Sequence, residues 1–174
     1  MGAIAISNVP HHSRTNALQQ IIDESLADTA ATAARVSWGG VISRGAKSQL
    51  VDKFGDEVNS VHVDPLRDAV NNVGSKLGQS LDVAFETSGW TDVTEKGEGL
   101  EHFHAYNSKP SDTVMDLHTD AGVFIVMTQG FVPGQERDSH ELYLQLAKEQ
   151  LVKAVTNSPD DIIVLVGEGG ERKP

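Results

Sequence analysis

After Leu100 the chain changes texture, and that change restricts the fold more than any other feature of the sequence. Six short extended runs follow one another within 70 residues: Glu101–Tyr106, Val114–His118, Val123–Thr128, Glu141–Leu146, Gln150–Thr156 and Ile162–Gly167. Apolar or alternating runs of this length, bounded by turn formers, are strands, and so many at such close spacing predict a β sandwich or barrel. The spacers Asn107–Asp112, Phe131–Ser139 and Asn157–Asp160 carry the Pro, Gly, Asn and Asp residues that turns need.

The preceding residues read differently. Gly2–Val9 is a short strand ending before Pro10. Ser13 or Thr15 caps a helix over about Asn16–Ala34, in which Leu18, Ile21, Ile22, Ser25 and Leu26 share one face. The glycines of Trp38–Gly45 suggest a loop, followed by a short helical stretch over Ala46–Phe54. Asp64-Pro65 is a helix start, because the carboxylate accepts unpaired amide protons and proline suits the first helical position. Leu66, Ala69, Val70, Val73 and Leu77 continue that helix on one face, Gly74 and Gly78 weaken its end, and Ser88–Gly99 reads as an exposed linker. The expected organisation is a helical region over residues 1–95 and a β-rich region over 96–174, an α+β protein.

At 174 residues the chain is long enough to bury roughly two-thirds of its unfolded surface without a covalent staple. It has no cysteine, which excludes disulfides, thiolate metal sites and thiol nucleophiles together. Any metal must be held by His, Asp or Glu. The surplus of 25 acidic over 14 basic residues gives a net charge of −11, which repels phosphate backbones and anionic lipid and argues against nucleic acid as a partner. No run of apolar residues is long enough for a signal peptide or a membrane span, and Ile6 stands where a myristoylation pattern needs Ser or Thr. The expected location is the cytoplasm, with no membrane contact. The run Gly167-Glu168-Gly169-Gly170 lacks the spacing of a nucleotide-binding loop, and His11-His12 reads as exposed loop before a helix.

One constellation carries chemistry. His118-Thr119-Asp120 places an imidazole and a carboxylate two residues apart, where an extended chain turns both side chains to one face and lets them reach a single ion. A non-haem iron site of two His and one carboxylate holds three ligands on one face of the metal and leaves the opposite positions open to oxidant and substrate, and this pair has the local form of two of the three. The spacing alone is weak evidence, since His62-Val63-Asp64 repeats it and Asp64 there is explained as a helix cap. Context separates the two: His118 follows Val114-Met115-Asp116-Leu117 and precedes Ala121-Gly122 and the apolar strand Val123-Phe124-Ile125-Val126-Met127-Thr128.

The segment His118 to Val126 resembles the stretch around the first two iron ligands in the isopenicillin N synthase-like branch of the iron(II)- and 2-oxoglutarate-dependent dioxygenases. The likeness extends upstream to Phe103-His104-Ala105-Tyr106-Asn107 and downstream through Leu142-Tyr143-Leu144-Gln145, Leu151–Val155 and Ser158-Pro159-Asp160-Asp161 to Glu168. More faintly, Ala3–Val9 and the helix after it are similar to the small domain that precedes the barrel. The resemblance implies N-terminal helices packed on a double-stranded β-helix, or jelly-roll, core. It implies iron(II) and 2-oxoglutarate as cofactors, His118 and Asp120 as metal ligands, a cofactor-binding place for Tyr106, and oxidation of a C–H bond in a small-molecule substrate. Core positions are the ordinary reading of Tyr106 and Phe124.

The family's distal histidine and its 2-oxoglutarate-binding arginine have no counterpart before Pro174, and Arg172 comes too early to be that arginine. Two expectations stand side by side. In one, the chain is a fragment whose jelly roll lacks its last strands, and turnover is poor or absent. In the other, His104, His102 or His140 completes the site. The rival functions are a non-catalytic β-sandwich module derived from a dioxygenase, and a cupin-like metal-binding protein that uses His102 or His104 with His118.

Overall fold

The computed structural model describes residues 3–7, 9, 15–20, 35–42, 63–106, 115–131, 142–146 and 150–171; for residues 35–42, 105–106 and 171 it describes the backbone alone. It is a mixed structure of helices and antiparallel sheets, as an α+β reading requires. The chain divides into two compact units, one discontinuous (Met1–Pro10 with His118–Pro174) and one inserted between its parts (His11–Leu117).

The discontinuous unit is built around a three-stranded sheet. Its strands are β1 (Ala3–Ile6), β4 (Phe124–Thr128) and β7 (Ile162–Val166), in the order β1-β7-β4. Both pairings are antiparallel, with Ala3 opposite Leu165 and Phe124 opposite Val166. Being central, β7 has neighbours on either side, and Ile162, Ile163 and Val164 are almost wholly buried. That is why its sequence is an unbroken apolar run rather than an alternating one. A second ladder pairs β5 (Tyr143–Gln145) with β6 (Leu151–Lys153), and the amides of Leu146 and Ala154 extend it by donating to Gln150 and Leu142.

The turn into β7 is fixed by Asp161, which is buried. Its Oδ2 accepts the amides of Asn157 at 2.8 Å and Ser158 at 3.2 Å, and the Ser7 hydroxyl donates to the same carboxylate. Gln129 adds a bond from its side-chain amide to the Ser158 carbonyl. Burial pushes the Asp161 carboxyl up, but the bonds from Ser7, Asn157 and Ser158 outweigh it and hold the group below the ordinary carboxylate range.

In the inserted unit, residues 15–20 are helical, with Ala17 buried. The remainder of the helix expected to Ala34 lies outside the described residues, as does the helical stretch expected over Ala46–Phe54. Strand β2 (Arg35–Ile42) pairs antiparallel with β3 (Gly99–Tyr106) over its whole length, from Arg35 opposite Tyr106 to Ile42 opposite Gly99. The loop expected from Trp38 is therefore strand as far as Ile42. Gly39 and Gly40 have low strand propensity, but a continuous ladder of backbone bonds to β3 overrides it.

Helix α1 (Asp64–Phe85) starts near the expected point, by a different device. Val63 already has helical dihedrals, so Asp64 is not the cap; its carboxylate meets Arg67 at 3.3 Å instead. Arg67 also pairs with Glu101, tying α1 to β3. Leu66, Ala69 and Val73 are buried as expected, Val70 and Leu77 are half-buried, and Gly74, Gly78 and Asp82 join the buried face. The expected exposed linker contains helix α2 (Gly89–Lys96), whose Trp90 and Thr94 are buried. Gly78 admits it: a β-carbon there would lie 2.8 Å from the Trp90 carbonyl oxygen and 2.2 Å from Thr94 Oγ1.

Asp82 supplies what the start of α2 lacks. The α2 cap residue, Ser88, makes no side-chain bond, so the first amides look elsewhere. The Asp82 carboxylate accepts Trp90 N at 3.0 Å, Thr91 N at 2.7 Å and the Thr87 hydroxyl at 2.7 Å. Burial works to raise this carboxyl, yet the bonds from the Thr91 and Thr87 side chains and the Thr91 and Trp90 amides bring it down to about 2.

Candidate metal centre

His118 and Asp120 sit in the irregular segment 115–123 that leads into β4. The strand expected over Val114–His118 does not form in its described part, residues 115–118. Met115, Leu117 and their polar neighbours are all exposed, so no face of that run is drawn into a sheet.

The segment is held by the backbone that follows β7. The Glu168 amide donates to the Asp120 carbonyl at 2.9 Å, Gly169 to Gly122 at 3.2 Å and Gly167 to Val123 at 3.2 Å. Such close approach requires glycine: a β-carbon on Gly167 would stand 2.2 Å from the Gly122 oxygen and 2.8 Å from that of Asp120. These glycines open the four-residue helix α3 (Glu168–Glu171) and form the cradle under the His-x-Asp loop. Sequence reasoning assigned them no role. Their signal was the density of glycine itself, which marks a place where two backbones touch.

The loop brings its two candidate donors together. His118 Nε2 lies 3.5 Å from Asp120 Oδ1, and both side chains are about half exposed, at 48% and 46%. That separation is longer than an ordinary N–H···O bond. It fits one cation about 2.1 Å from each atom, subtending roughly 110° between them. As an ion pair between exposed groups the contact contributes at most about 1 kcal/mol. Its chemical content lies in offering a neutral nitrogen and an anionic oxygen to the same point, a donor set that suits iron(II), manganese or zinc.

Among the described residues no group of three His, Asp or Glu side chains comes within reach of one ion. Of the candidates for a third ligand, His102 and His104 belong to β3 in the inserted unit, and His140 lies outside the described residues. Tyr106 closes β3 opposite Arg35, and its side chain is likewise not described. Phe124 opens β4 and is half-buried. His11-His12, His62 and Arg172 are outside the description. No described helix is long and apolar enough to cross a membrane. In comparisons with known proteins, the chain matches no family model, no curated protein and no solved structure.

Proposed function

We propose that the chain is a metal-binding protein of the non-haem iron(II), 2-oxoglutarate-dependent oxidoreductase class, acting on a small molecule, with His118 and Asp120 as two ligands of the iron. The observation that carries the reading is the 3.5 Å approach of His118 Nε2 to Asp120 Oδ1 on a loop whose backbone is pinned by Gly167, Glu168 and Gly169. Preorganised donors lose little freedom on binding a cation, and backbone anchoring is how such order is obtained.

The path of the chain supports a jelly-roll core. After β4 it leaves the three-stranded sheet, makes the β5–β6 ladder, and returns as β7 antiparallel to β4. An antiparallel pair nested within another, β5–β6 inside β4–β7, is compatible with the way a jelly roll folds back on itself.

When bound, iron(II) would supply the redox chemistry by which molecular oxygen oxidatively decarboxylates 2-oxoglutarate and oxidises a C–H bond. The chain's own part is to hold and orient. His118 contributes a neutral nitrogen, Asp120 neutralises one unit of positive charge, and the exposure of both leaves the other side of the ion open to small molecules.

The test is anaerobic iron(II) titration of the chain beside a His118→Ala, Asp120→Ala double variant, with and without 2-oxoglutarate. The expected result is a weak visible charge-transfer band in the parent that requires 2-oxoglutarate and vanishes in the variant. Absence of the band from the parent, or its persistence in the variant, overturns the assignment.

A further inference from the structure

Strand β3 carries a second pair of donors, unrelated to the first. His102 and His104 are two residues apart on the ladder, so both side chains leave the same face. That face is the outer one: Leu100, His102 and His104 are exposed, whereas Glu101 and Phe103 between them are half-buried. The residues opposite them on β2 are Gly39, facing His102, and Ser37, facing His104.

The imidazole centroids are 5.7 Å apart with planes inclined at 68°. A cation about 2.1 Å from one nitrogen of each ring lies about 3.2 Å from each centroid, and a 5.7 Å separation then corresponds to roughly 125° at the ion. That angle belongs to a distorted tetrahedral site when each ring turns one nitrogen to the shared ion, a rotation about side-chain torsions that leaves the strand in place. Two imidazoles on a rigid ladder behave as a chelate, because binding through the first places the second at a high effective concentration.

We infer that the outer face of the β2–β3 ladder is a binding site for a late first-row divalent cation of the copper(II) and zinc class, held by the His102 and His104 imidazoles with water in the remaining positions. Imidazole is the preferred donor for these ions, and copper(II) binds most strongly of the series. The site uses none of the residues of the His118–Asp120 pair and stands whether or not that pair holds iron.

The experiment is copper(II) titration of the full chain carrying His118→Ala and Asp120→Ala, followed by frozen-solution electron paramagnetic resonance. One copper per chain is expected, with nitrogen hyperfine structure from two imidazoles. Replacing His104 by Phe keeps an edge-to-face ring pair but removes a donor, and should weaken binding about a hundredfold. His102→Phe should do the same, and a His11→Ala, His12→Ala variant should bind as the parent does. Unchanged affinity in either Phe variant, or loss of the signal with His11 and His12, overturns the inference. If the Phe variants keep the parent's circular dichroism and melting temperature while losing copper, the ring contact is not what the pair is for.

Discussion

At the scale of single residues, two positions in the helix pair show how local rules and tertiary contacts compete. Glycine in a helix interior ordinarily costs about 0.5–1 kcal/mol relative to alanine, so Gly78→Ala should gain stability if the helix stood alone. In the folded chain the new methyl meets the Trp90 carbonyl and a Thr94 hydroxyl that is itself bonded to that carbonyl at 3.0 Å, so neither neighbour yields easily. We expect a net loss of about 1–3 kcal/mol, read from denaturant midpoints. Glu86 gives the opposite sign. It ends α1 in the left-handed region at φ 53°, a conformation that penalises any residue with a β-carbon. Glu86→Gly should therefore stabilise the fold by up to about 1 kcal/mol in the same measurement. The sequence announces neither effect. Gly78 reads as a weak point because its partner, α2, is hidden in a polar stretch. Nothing in the spacing around Asp82 marks its carboxylate as the cap of another helix. His118 and Asp120 were legible as a pair because their proximity is set by two residues of chain. A third ligand depends on tertiary structure, which spacing alone does not encode.

At the scale of elements, strands with a buried apolar run were readable, and those defined by pairing alone were not. β4 and β7 announce themselves through Phe124–Thr128 and Ile162–Val166: β7 is buried over Ile162–Val164, and β4, half-buried along its whole length, is nearly all apolar. β2 was missed because its glycines have no preference for the strand that β3 imposes. The run before His118 was read as a strand from its alternation, but alternation predicts a strand only where one face is covered. The cradle made by the residues after β7 matters most for the proposed metal site, since it fixes the loop through its backbone. Gly167→Ala should displace that loop, because its methyl would meet two backbone oxygens that cannot rotate away. The expected outcome is a loss of stability of about 1–3 kcal/mol together with weaker iron(II) binding in the anaerobic titration, although both proposed ligands remain.

At the scale of the whole molecule, a net charge of −11 leads to the expectation that acid relieves repulsion and stabilises the fold. Two carboxylates act the other way. Asp82 sits at about 2 against an ordinary 3.8, and Asp161 is also lowered. A group whose folded value is depressed binds fewer protons folded than unfolded between the two values, so stability rises with pH through that interval. The contribution is complete above the ordinary value and disappears as pH falls from about 4 toward 2. Melting temperature should drop across that window, and Asp82→Asn should flatten the drop while lowering stability at neutral pH. The division into a discontinuous unit and an inserted one was not legible, because nothing in Ala3–Ile6 states that its partner is Ile162–Val166. That pairing also sets an order of events during synthesis. The inserted unit is contiguous and is free to fold as soon as it clears the ribosome. The three-stranded sheet must wait for β7, its centre, which emerges after all of its neighbours. Until then β1 and β4 are nascent strands with exposed edges and no mate, so on this chain the interval of greatest vulnerability to aggregation lies between the emergence of β4 and that of β7.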